Sequence, residues 1–203
     1  MSKEILIIGA TGPIGSKLRT TLLEKTDYKL SLFLTRSTRL QIDRKREETF
    51  TGNINDKRML ERVFPRQDAV FVDLSEDEIE TMTEDIVEIM DKTPEKRLIF
   101  VLPMGIYNEI PTSIGGGNLR ENPRLKPYRK AADVIEASHL NYTIIRPGRF
   151  DEGNDDIYEI TKKREPVMGY DVSKKAICNF VLILIQQKGY GGRENFGIYR
   201  PQK

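Results

Sequence analysis

The sequence predicts an α/β fold, a doubly wound parallel sheet with helices on both faces. Three observations predict it. Short apolar runs alternate with amphipathic segments through the first 150 residues, a glycine-rich turn joins the first apolar run to the first helical segment, and the 203-residue chain contains no stretch long enough to act as a linker between two units.

The first strand is expected over Glu4 to Ile8, followed by a helix over Pro13 to Glu24 and a second strand over Lys29 to Leu34. A third strand over Glu48 to Gly52, a helix over Asp56 to Val63 and a fourth strand over Ala69 to Asp73 continue the alternation. In the next helix, Glu78 to Asp91, Ile79, Met82, Ile86, Ile89 and Met90 recur at helical spacing while Glu80, Glu84, Asp85 and Glu88 take the other face, so it lies on the sheet surface. A fifth strand over Arg97 to Leu102, a helix over Pro127 to Ser138 and a strand over Tyr142 to Ile145 follow. Between the fifth strand and that helix, Gly115-Gly116-Gly117 with Pro111 and Pro123 marks a flexible loop, either a lid over the strand ends or a plain surface loop. Beyond residue 150 the alternation weakens: a polar stretch Asp151 to Asp156 precedes a helix expected over Val172 to Gln187 and a last strand over Phe196 to Tyr199. Residues 1–203 therefore form one domain, with 151–203 as a small C-terminal extension on the substrate side.

Composition narrows the partners. With 33 basic and 31 acidic residues the net charge is +2, too small to steer the protein to nucleic acid or an anionic membrane. Cys178 is the one cysteine, which excludes an intramolecular disulfide and a thiolate zinc site, and a reducing cytoplasm is expected. The apolar runs at Ile5 to Ile8 and Ala176 to Ile185 are too short to span a membrane, and the second is expected to be a buried helix. His139 is the one histidine and reads as a helix C-terminal residue, and the mixed-sign run Asp43 to Glu48 reads as a solvated turn. No metal site is expected.

The loop Gly9-Ala10-Thr11-Gly12-Pro13-Ile14-Gly15 follows a strand, opens a helix and is succeeded by another strand, the context in which such a motif binds a dinucleotide and defines a Rossmann-type sheet. Gly9 permits the turn, Gly12 lets the backbone approach a pyrophosphate, Gly15 allows close helix packing, and Pro13 suits the first helical position. The helix-start amides face the phosphates. An acid at the end of the second strand would select NAD, but the chain has Leu34-Thr35-Arg36-Ser37, so Arg36 favours the 2′-phosphate of NADP(H), with NAD(H) as the secondary ligand. The alternative is that Arg36 pairs with a surface acid.

Together with this loop and Thr35-Arg36, the segments Gly52-Asn53-Ile54-Asn55-Asp56, Met104-Gly105-Ile106-Tyr107 and Leu140-Asn141-Tyr142-Thr143-Ile144-Ile145-Arg146-Pro147-Gly148 resemble the atypical short-chain dehydrogenase/reductases of the NmrA-like, NAD(P)H-binding group. The resemblance spans nearly the whole chain. It implies that Leu74-Ser75 flank the adenine, Asn53-Ile54 border its edge, and Pro103-Met104 and Pro147-Gly148 border the nicotinamide side.

Reductases of this superfamily commonly pair a Tyr with a Lys four residues later and add a Ser, and this chain departs from that pattern. Tyr128 is followed by Ala132, Tyr107 by Pro111, and the fifth strand leads into Leu102-Pro103-Met104 where a serine is usual. Tyr107, Tyr128 and Lys130 remain the acid/base candidates nearest the nicotinamide end, each with an ordinary packing or solvated role as the alternative. Three functions follow, in order. The first is an NADP(H)-dependent oxidoreductase passing hydride to a small carbonyl or quinone acceptor, and the second is a non-catalytic NADP(H)-binding redox sensor acting on a regulatory protein partner. A nucleotide-sugar epimerase or dehydratase ranks last. The chain is expected to be a monomer or a homodimer.

Overall fold

A computed structural model describes residues 2–34, 40–53, 56–74, 79–93 and 97–201. Eight strands make one sheet in the order β3-β2-β1-β4-β5-β6-β10-β8. These are β1 (Glu4–Ile8), β2 (Lys29–Leu34), β3 (Glu47–Thr51), β4 (Ala69–Asp73), β5 (Arg97–Val101), β6 (Asn141–Pro147), β8 (Glu159–Thr161) and β10 (Glu194–Tyr199). All neighbours run parallel except β8, which pairs antiparallel with β10 at one edge. β7 (Arg149–Asp151) and β9 (Asp171–Ser173) form a separate parallel pair.

Because the central strands are buried on both faces, they read as continuous apolar runs whose side chains alternate between two cores. Leu6 and Ile8 of β1 enter a core with α2 (Lys57–Val63), α3 (Ile79–Asp91) and α4 (Lys126–Ala137), whereas Ile5 and Ile7 enter a second core with α1 (Pro13–Lys25) and α5 (Lys174–Gln186). Cys178 lies in the second core, and burial pushes its thiol up to about 12, as befits a small apolar residue.

Local chemistry sets the helix starts. Pro13 occupies the first turn of α1, where its missing N–H removes no helical bond. The Asp56 side chain accepts from the Arg58 amide at 3.1 Å and caps α2. Ser173 Oγ accepts from the Ala176 amide at 2.9 Å, so the last helix begins at Lys174. The helix expected from Val172 is thereby corrected: β-branched Val172 belongs to β9, and the cap decides the boundary.

The run Asp43 to Glu48 is also corrected. Glu47 is buried in β3 and holds the Arg19 guanidinium at 2.5 and 2.7 Å, while Arg46 donates to the carbonyls of Leu23 and Tyr28. Charged residues here bind backbone and one another, so only the start of the run is a turn. The three-residue strands β7, β8 and β9 have no counterpart among the expected elements, being too short for a period-2 pattern to register. No helix of the described residues is long and apolar enough to cross a membrane, and they contain no cluster of three or more metal-binding side chains.

Candidate functional site

β1 has β2 on one side and β4 on the other, so the chain leaves the sheet centre in opposite directions and opens a crevice at the C-terminal strand ends. The glycine turn lies there. Gly9 has φ +91°, and a Cβ on it would stand 2.0 Å from the Asp73 carbonyl oxygen; a Cβ on Gly15 would stand 2.2 Å from the Gly9 carbonyl oxygen. Both positions therefore demand glycine, and the turn is closed by a 2.8 Å bond from the Gly12 amide to the Gly9 carbonyl. Gly9, Thr11, Gly12 and Pro13, with Phe33, Asp73 and Leu74, line an opening of about 370 Å³.

A second opening of about 310 Å³ shares Asp73 and Leu74 with the first, so the two form one groove along the glycine turn and the ends of β2, β4, β5 and β6. Ile14, Pro103, Pro147 and Gly148 border it, together with Val101 and Leu102. Its outer wall comes from the segment after Gly117 and from β7: Asn122, Arg124, Leu125, Tyr128 and Phe150. A larger opening of about 740 Å³ lies at the opposite, N-terminal edge of the sheet, around Glu4, Lys29 and Glu47, away from the glycine turn.

The three acid/base candidates separate. Tyr128 lines the groove. Tyr107 does not: its hydroxyl donates to Glu136 at 3.0 Å and accepts from Asn195 at 2.8 Å, and the Arg146 guanidinium lies over its ring. Burial and the neighbouring Glu136 carboxylate hold its phenol well above the ordinary tyrosine range, opposite to what an acid/base tyrosine requires. Lys130 pairs with Glu80 at 2.8 Å on the exposed surface between α3 and α4. Met104 is also diverted, since its side chain packs with Ile110, Val167 and Tyr199 in a small apolar cluster.

Of the remaining candidates, Asn53 is described, and its carbonyl accepts from the Asp56 amide at 2.9 Å. Thr35, Arg36, Ile54 and Ser75 lie outside the described residues. The Gly115-Gly117 loop is tied down by Glu121, which accepts from the Gly117 amide at 2.8 Å, and by the buried Asn118 side chain, which bonds Ile110 in both directions.

Sequence reasoning missed Asp73, Leu102, Asn122, Arg124, Leu125 and Phe150 as groove residues. Asp73 had a signal, since a carboxylate ending an otherwise apolar strand sits at the edge where open parallel sheets bind ligands. Burial holds its carboxyl above the usual range, against the opposing pull of the nearby Ile14 and Gly15 amides of α1. Its Oδ2 is buried without a partner.

A dinucleotide fits these residues. The glycine turn gives a phosphate close backbone approach and helix-start amides, and the orphaned Asp73 oxygen marks a polar position awaiting a ligand group. The chain resembles a Rossmann-fold NAD(P)-binding family protein from Shigella flexneri, with 29% identity, a TM-score of 0.85, and coverage of 100% of this chain and 96% of that one. A short-chain dehydrogenase/reductase from Veillonella parvula, solved in complex with NADP, is 26% identical with a TM-score of 0.88 over 99% of this chain and 96% of that one. An oxidoreductase from Lactococcus lactis, 15% identical with a TM-score of 0.79 over 98% and 92%, shares the fold. Among curated proteins, none matches. The model of an NAD(P)H-binding family matches residues 9–188, and the chain belongs to that family, as an atypical relative of the short-chain dehydrogenase/reductases.

Proposed function

We propose that the protein is a cytoplasmic NADP(H)-dependent oxidoreductase that reduces a small carbonyl or quinone acceptor. One observation carries the reading: a single groove has a phosphate-accepting glycine turn at one end and, at the other, a largely apolar chamber of Leu102, Leu125, Tyr128 and Phe150. Bound NADPH supplies hydride, and the chain binds, orients and keeps water from the acceptor. Tyr128 lines the chamber, and its hydroxyl is assigned the proton delivered to the acceptor oxygen. Arg36, with no acid beside it at the end of β2, is assigned the 2′-phosphate, in keeping with the NADP complex of the Veillonella relative.

Calorimetric titration of NADPH, NADP and NADH, followed by turnover against a carbonyl and quinone panel, tests this. Preference for the phosphorylated pair that Arg36→Ala abolishes, with acceptor reduction, is expected. Tyr128→Phe should cut turnover by about 100-fold or more at unchanged NADPH affinity. Binding without reduction of any acceptor removes the enzymatic reading.

That outcome would favour a redox sensor, which the lack of a lysine four residues after Tyr107 or Tyr128 and the engagement of Tyr107 and Lys130 elsewhere support. A sensor must bind the two redox forms unequally or adopt different conformations with them, so equal affinities and identical proteolysis patterns would exclude it.

A further inference from the structure

Asp73 stands at the centre of the groove in an arrangement that a bound dinucleotide must disturb. The Ile14 and Gly15 amides of α1, which a pyrophosphate would approach, also favour the charged form of its carboxyl, against the burial that opposes it. Its Oδ2 is buried and has no hydrogen-bond partner. A Cβ on Gly12 would lie 3.4 Å from Oδ2, so the orphaned oxygen faces the tip of the glycine turn. A phosphate seated there puts anionic oxygens against a desolvated carboxylate, and like charges at such range cannot both persist in a low-dielectric site.

Among the described residues, no neighbouring cation relieves the conflict. From α5 the Cys178 thiol feels Asp73, and Lys174 and the α1 residue Lys17 act on that thiol, yet among the described residues no side-chain cation contributes to holding the Asp73 carboxyl. Val101 on β5 is apolar, and across the groove Arg124 is exposed on the outer wall.

Resting on the reading that this groove takes NADP(H), we propose that Asp73 couples dinucleotide binding to a proton: in the complex it is a neutral acid that donates its Oδ2 hydroxyl to a pyrophosphate oxygen. The proton comes from solvent, one per dinucleotide. The sign follows from linkage. Ligand charge raises the carboxyl's proton affinity, so dinucleotide affinity is full below the value of the free protein. It falls by about tenfold per pH unit between the free and bound values.

The test is calorimetric titration of NADPH into the full chain and into Asp73→Asn at about pH 7 and about pH 8.5, where the cofactor 2′-phosphate is already ionised. Each titration is run in two buffers of different ionisation heat, to count protons. The wild type is expected to take up close to one proton and to lose about tenfold or more in affinity over this range. Asp73→Asn, a permanent mimic of the neutral acid, should take up none, hold its affinity, and bind roughly tenfold tighter than wild type at the upper pH. The proton count on the wild type needs no variant to fold. Wild-type binding that matches Asp73→Asn in affinity, pH dependence and proton count overturns the assignment while leaving NADPH binding intact. Loss of binding in both proteins at both pH values overturns the dinucleotide reading and this inference with it.

Discussion

Glu109 and Arg146 form an ion pair whose side chains are both fully buried, and the surrounding bonds explain how it is tolerated. Glu109 also accepts from the Gly105 amide at 3.0 Å and the Tyr107 amide at 2.9 Å, while Arg146 donates to Asn195 at 2.7 Å. Glu109→Gln leaves the guanidinium without its counter-charge and should cost about 3–5 kcal/mol in urea unfolding. An unchanged midpoint would mean that Arg146 finds another partner. Asp73 presents the opposite case at the same scale. Its carboxyl is raised by burial, so the folded protein binds its proton more tightly than the unfolded chain does. Stability is therefore lost as pH rises from the unfolded value through the folded one. Cofactor-free Asp73→Asn should melt above wild type at neutral pH, with the gain shrinking towards about pH 4, where the unfolded carboxyl itself is protonated. A gain of equal size at both pH values would assign the effect to packing.

Among the elements, the pairing of β1 with α1 depends on Gly15. A Cβ there meets the Gly9 carbonyl at 2.2 Å, so Gly15→Ala must lift α1 from the end of β1. Overpacking of this kind costs about 1–3 kcal/mol, and here it also moves the amides of the phosphate seat. Thermal unfolding and NADPH titration should both register the change, and a loss of stability with full NADPH affinity would separate helix packing from the binding surface. α5 covers the same face of the sheet with an apolar run centred on Phe180, which packs edge-on against Phe196 of β10. It ties the C-terminal part of the chain to the first half of the sheet.

For the whole molecule, the groove draws on the glycine turn, β2, β4, β5, β6, β7 and the segment after Gly117, so a ligand in it bridges both halves of the fold. Such a ligand stabilises by mass action: NADPH at about one hundred times its Kd adds about 2.7 kcal/mol. At this chain length that is worth roughly 5–10 °C in Tm. A melting temperature that ignores saturating NADPH would contradict binding to the native groove.

The sequence by itself determined the sheet strands β1 to β6, the placement of the glycine turn and the burial of Cys178. These follow from local rules: strands buried on both faces are continuously apolar, and only glycine suits the φ of Gly9 and the contact made by Gly15. Tertiary structure alone decided which tyrosine reaches the groove. Tyr107 and Tyr128 are both aromatic residues beside polar neighbours in the chain, and only the meeting of Arg146, Glu136 and Asn195 from three distant elements draws Tyr107 aside. Asp73 is the sharper case. Its position at a strand end is local information, but its state depends on amides from α1 and on burial beneath the glycine turn, and desolvation is a property of neighbours brought together by folding.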